Sequence, residues 1–191
     1  MRATINSLVL FVWLLTGCLA DDTAQTQSVS TNLDPASCQQ AIDKSHPDEI
    51  TYLSCPGVGG YTLNVRKVGA GRLSIEVVDA ASRQFPLHYD SVVTRAMSSL
   101  EGKAQWRVVT QNGKPKPIAL IVAVDAREDE HHPTKVTHTF ISITKITAAE
   151  ICVTDRIVKG DKSEAEIHAL ADSASSRRCA PRLPIAAGEI R

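Results

Sequence analysis

The sequence predicts a domain of the α+β class, mainly an antiparallel β sheet arranged as a sandwich or partial barrel, with one carboxy-terminal helix. Three observations predict it. Apolar residues alternate with polar ones in several short stretches between Tyr61 and Val158, the period of half-buried strands. The period becomes helical only near the carboxy terminus, after Ser163. Four cysteines follow an export-type leader, so disulfides are expected to staple the sheet. Helices do not alternate with strands, which disfavours a doubly wound parallel fold.

The amino terminus has the layout of a secretory signal. Arg2 is followed by the apolar run Leu8 to Leu15 and then by small residues. Leu15-Thr16-Gly17-Cys18 resembles the lipobox of bacterial lipoproteins, in which the cysteine thiol takes a diacylglycerol and becomes the first residue. Residues 1–17 are therefore expected to be a signal peptide and Cys18 to be lipidated. Two or more acyl chains anchor firmly where one binds marginally. Cleavage after Ala20 is the alternative. Residues 18–37 are polar and aperiodic and are expected to form a flexible tether. A single globular domain is expected over 38–180 and a tail over 181–191.

Within the domain, Tyr61, Leu63 and Val65 alternate with Thr62, Asn64 and Arg66. Leu73, Ile75 and Val77 alternate with Arg72, Ser74 and Glu76, and Gly69-Ala70-Gly71 between the two runs suggests a hairpin turn. Ser91 to Leu100 suggests a short helix. Lys103 to Val109 is a third strand, with Ala104, Trp106 and Val108 on one face. Asn112-Gly113 is a turn signal, and Pro115 and Pro117 are expected to stop pairing there. Pro117 to Val124 is apolar on both faces, as in a central strand or one covered by a helix. Thr137 to Ile146 is its expected partner, and Ile151 to Val158 a further strand, giving five to seven in all. Ser163 and Glu166 fit a capping box, with Ile167, Leu170, Ala171 and Ala174 at helical spacing and Arg177 and Arg178 in the last turn.

Cys38, Cys55, Cys152 and Cys179 allow three pairings. Cys38–Cys55 and Cys152–Cys179 are favoured because each joins neighbours in sequence. They close loops of about 18 and 28 residues, which would stabilise by about 3.2 and 3.6 kcal/mol in the chain-entropy treatment. No Cys-x-x-Cys supports a redox centre.

Lys plus Arg equals Asp plus Glu at 21 each, so no basic excess exists to neutralise phosphates and a nucleic-acid partner is not expected. With 43% hydrophobic residues, global disorder is excluded. No apolar run reaches the roughly 18 residues of a membrane-spanning helix. Cys55-Pro-Gly-Val-Gly-Gly-Tyr61 reads either as an anion-binding nest or, preferably, as a tight turn beside a disulfide. The polar stretch Asp125, Glu128, Asp129, Glu130, His131, His132 has metal-binding residue types but reads better as a solvated loop. His88-Tyr89-Asp90 lacks a nucleophile elbow to make a hydrolytic triad. His46 and His138 stand alone, and His168 is expected in solvent, off the apolar stripe of its helix. Trp106 reads as a core anchor. No catalytic residue, metal ligand or cofactor is assigned.

Cys55-Pro-Gly-Val-Gly-Gly-Tyr, Arg72-Leu-Ser, Gln105-Trp-Arg-Val, Pro117-Ile-Ala-Leu-Ile, Ile143-Thr-Lys-Ile, Glu150-Ile-Cys-Val and the Leu170-Ala-Asp helix ending in Cys179 occur in this order. Together they resemble an uncharacterised family of small exported proteobacterial proteins with a Cys-Pro-Gly-x-Gly-Gly motif and four cysteines. The resemblance spans about Cys38 to Cys179. The chain departs from it at Gln105, where the family has Glu, and at Val153, where it often has an aromatic residue or His. The resemblance implies export, the four-cysteine scheme and the order of elements, and brings no activity.

The expectation is a non-enzymatic cell-envelope lipoprotein that binds a partner protein or an envelope polymer. It would lie in the periplasm or on the outer membrane, held to the membrane by its lipid anchor, or alternatively be secreted and soluble. A periplasmic hydrolase or metal-dependent enzyme using Asp125 to His132 is the alternative function.

Overall fold

Each alternating stretch pairs antiparallel with its neighbours, and the strands divide into two sheets. The computed structural model describes residues 25–44, 50–69 and 71–185. In chain order the strands are β1 (Gln27–Asn32), β2 (Gln39–Asp43), β3 (Ile50–Pro56), β4 (Thr62–Lys67) and β5 (Leu73–Val78). There follow β6 (Gln84–Pro86), the one-turn helix α1 (Tyr89–Val92), β7 (Met97–Gln111), β8 (Lys114–Arg127), β9 (His138–Ile146), β10 (Ile151–Val158) and helix α2 (Glu164–Asp172). The first sheet runs β1-β7-β8-β9-β10 and the second β2-β3-β4-β5-β6. The α+β sandwich with a carboxy-terminal helix is thus the observed fold, with ten strands in two sheets among the described residues in place of five to seven in one.

The core lies between the sheets. Ala104, Trp106, Leu120, Val122 and Val124 from the first sheet meet Cys55, Leu63, Val65, Ile75 and Val77 from the second. β8 is apolar on both faces because its other face is also covered. Ala119 and Ile121 pack with Ile141, Ile143, Ala171 and Ala174 beneath α2. The Ser163 capping box forms as expected. Both favoured disulfides form, Cys38–Cys55 and Cys152–Cys179. Two such bonds belong to a non-reducing, exported environment. Among the described residues, no helix is long and apolar enough to cross a membrane.

Several expectations are corrected. Residues 27–32, read as part of the tether over 18–37, form β1 and pair with β7 from Gln27↔Val108 to Asn32↔Lys103. Only Thr31 of this strand is buried, so an edge strand left no hydrophobic period to read. The helix expected over Ser91 to Leu100 is reduced to α1, and β7 starts at Met97. Here Leu87, Tyr89 and Val93 are buried in the core, which overrides helical propensity. Pro115 and Pro117 do not stop pairing. Asn112 and Gly113, both at positive φ (52° and 71°), close a hairpin at Gln111↔Lys114. The prolines then lie opposite Thr110 and Val108, at alternate positions where the ring nitrogen turns away from β7. On the other side β9 starts pairing only at Ala119, so the missing N–H leaves no acceptor unpaired. Helix α2 ends at Asp172, so Arg177 pairs with Asp155 and does not cap the helix. The described part of the tail is docked: Leu183 N–H donates to Ser91 O at 2.7 Å, and the Arg95 guanidinium donates to the Leu183 and Pro184 carbonyls.

Candidate functional site

At the β2–β3 end of the second sheet the face that carries the core residues is only partly buried. Register fixes which side chains share that face. Gln40 lies opposite Leu53, Leu53 opposite Val65, and Lys67 opposite Leu73. These residues, with Ile50, Thr51 and Tyr52 of β3, line a groove of about 480 Å³. Leu53 and Leu73 pack against the main core, so the groove continues the hydrophobic interior to the surface. Ile42 lies opposite Thr51 on the same face and is 50% exposed. An apolar surface of this kind gains free energy when water leaves it.

The reverse of the same strands carries a polar network that stiffens the groove floor. Arg66 donates to Asp43 at 2.8 Å and to Glu76 at 3.0 Å, and the Asn64 amide donates to the same Glu76 oxygen at 3.0 Å. The Tyr52 ring lies 4.4 Å from the Arg66 guanidinium carbon. Burial works against the Arg66 charge, but the two carboxylates outweigh it and hold the guanidinium above its ordinary value. One cation thereby joins β2, β3, β4 and β5. On the groove side Lys67 is exposed and is the charged residue of the lining.

The sequence candidates fall elsewhere. Asp129 accepts from the His131 backbone and meets the His132 ring at 2.9 Å, and Glu128 meets the His138 ring at 3.0 Å. Glu128, Asp129 and Glu130 line a cleft of about 450 Å³ with Arg95 and Arg127. Its acidic residues stand on a largely solvated loop. Among the described residues, three metal-ligating atoms come within 4.8 Å of one another at Glu150, Cys152 and Cys179, but both sulfurs are spent in a disulfide. Asp125 to His132 does not form such a group. His88 sits at a left-handed φ of 52° and is exposed, whereas Tyr89 is fully buried. Burial raises the Tyr89 phenol above its ordinary range, against the opposing influence of the neighbouring Ser142 and Thr144 hydroxyls. Sequence adjacency has thus put His88 and Tyr89 in different environments. His46 and Cys18 lie outside the described residues.

The Cys55 to Tyr61 string forms a turn between β3 and β4. Gly57 N–H donates to Tyr61 O at 3.0 Å and Tyr61 N–H to Val58 O at 3.1 Å. A Cβ on Gly57 would stand 2.6 Å from Tyr61 O and 2.8 Å from Trp106 Cζ2. The glycine is therefore required by close approach to the core. Trp106 is the core anchor the sequence suggested, fully buried with the Tyr61 ring edge-on at 6.2 Å. His168 is a correction: it is half-buried and its Nε2 lies 2.8 Å from Gln105 Oε1. Sequence reading missed the groove. Its signal is that the Leu63, Val65, Lys67 face ends on a cation opposite Leu73.

Comparison of the chain with protein-family models, with curated proteins and with solved structures gave no match.

Proposed function

We propose that the chain is a non-enzymatic binding module of the cell envelope, and that it binds through the groove on the second sheet. The observation that carries this reading is the groove itself: Leu53 and Leu73 share a face with the buried core residue Val65 yet are only partly buried, and together they line an open groove. A disulfide-stapled floor keeps the surface preformed, which reduces the ordering cost of binding. The lipobox reading adds an anchor at Cys18 on the outer membrane or in the periplasm. The strand β1 begins at Gln27, nine residues after that cysteine.

The test is site-specific photocrosslinking in intact cells. A crosslinker at position 42 should trap a discrete envelope component, while one at the exposed Val158 on the other sheet should not. Equal trapping at both positions, or none at position 42 across growth conditions, would refute the proposal. Cys18→Ala should release the protein from membranes; a wild-type chain that begins at Asp21 would refute the anchor.

A further inference from the structure

We infer that the groove takes the alkyl chain of a long-chain fatty acid, with its carboxylate on Lys67. This deepens the binding-module reading and rests on it.

Shape and charge select the ligand. The lining side chains are apolar or neutral apart from Lys67, and no Asp or Glu is among them. One cation at the end of an apolar channel matches one anion at the end of an apolar chain. A zwitterionic lipid headgroup would bring an ammonium, and among the described residues the lining offers no acid to receive it. Lys67 forms no ion pair among the described residues, and its neighbour Arg66 points to the opposite face, held there by Asp43 and Glu76. A volume of about 480 Å³ lies within the usual range for small-molecule sites.

Other occupants fit less well. The segment between β2 and β3, Ser45-His46-Pro47-Asp48-Glu49, is polar, and residues 186–191 contain no apolar run. The sequence that could fill the groove, Leu8 to Leu15, belongs to the expected signal peptide. A two-fold pairing with a second copy would bring a second Lys67 to a lining that holds no acid among the described residues, which like charges disfavour.

The test is calorimetric titration of the oxidised mature protein with decanoate and laurate below their aggregation limits. Each buried methylene tightens binding about fourfold, so laurate should bind about sixteenfold tighter than decanoate. Lys67→Gln should weaken laurate by up to about fivefold, as for an exposed ion pair, and leave decanol unchanged. Ile42→Gln, an uncharged change at an exposed position on the groove face, should weaken acid and alcohol alike. No chain-length dependence, equal loss of acid and alcohol in Lys67→Gln, tighter binding of a lysophospholipid, or a concentration-dependent dimer that blocks titration would each overturn the inference. If fatty acids fail while the position-42 crosslink succeeds, the ligand class is wrong and the binding module stands. If both fail, both readings fall.

Discussion

The Trp106 indole N–H donates to the Thr31 hydroxyl at 2.9 Å, and that hydroxyl donates to the Pro56 carbonyl at 2.9 Å. Thr31 belongs to β1, so a strand read as tether completes the polar wiring of the core. Thr31→Val should leave the buried indole N–H without its acceptor and cost about 2 kcal/mol. Thr31→Ser should restore most of it. Urea denaturation of the two variants checks this; equal stabilities would contradict the relay.

Gly57→Ala places a methyl group against Tyr61 O and the Trp106 ring. The turn must shift, at a cost of about 1–3 kcal/mol. Near-ultraviolet circular dichroism should register the displaced Trp106 and Tyr61 pair. A wild-type spectrum and stability would contradict the packing described.

Arg107 forks onto Asp172, with both N–O distances 2.7 Å, and its third nitrogen donates to Ser28 Oγ at 2.6 Å. One buried guanidinium thus fastens β1 and α2 to β7. Asp172→Ala should cost about 2 kcal/mol and should raise amide exchange in α2 more than in β4. Unchanged exchange in the helix would contradict that role.

The Cys152–Cys179 bond spans 27 residues and joins β10 to the segment after α2. Replacing both cysteines by Ala should lower stability by about 3.6 kcal/mol, seen as a shifted denaturation midpoint. Native protein should show none of its four domain thiols to a thiol reagent. Free sulfhydryls in material taken directly from cells would contradict the disulfide scheme.

Burial works against ionisation of Asp79, but the Arg83 backbone N–H, the Arg83 guanidinium and the Ala81 N–H together hold its carboxyl below the ordinary value of 3.8. A depressed carboxyl stabilises the fold above its unfolded value, and that contribution is lost as pH falls through the folded value. Unfolding free energy should therefore fall as pH drops below about 3.8, and Asp79→Asn should flatten part of the fall. An identical acid profile in the variant would contradict this.

The legible parts of the fold were those whose two faces differ. β4, β5 and β10 alternate because apolar side chains recur on the face that meets the core, and α2 announces itself through Ser163 and Glu166, whereas β9 is buried on both faces, with Phe140 and Ile146 in the main core and Ile141 and Ile143 beneath α2. β8 reads as apolar throughout because sheet and helix both cover it. β1 was hidden because an edge strand needs backbone partners more than apolar side chains, and β6 is too short at three residues to show a period. His168 looked solvated because one helix seen alone cannot show that Gln105 of β7 reaches it. The groove was illegible for a similar reason. Alternation shows that Leu53, Val65 and Leu73 share a face, but not that Leu53 and Leu73 stay only partly buried while Val65 is in the core.

Hydrogen exchange of the oxidised protein, with and without solubilised envelope material, tests the binding surface most directly. The groove account predicts added protection at residues 50–53, 65–67 and 73, with none at the hairpin 111–116. Protection centred on the Glu128 to Glu130 cleft, or none on β3 and β4, would contradict it.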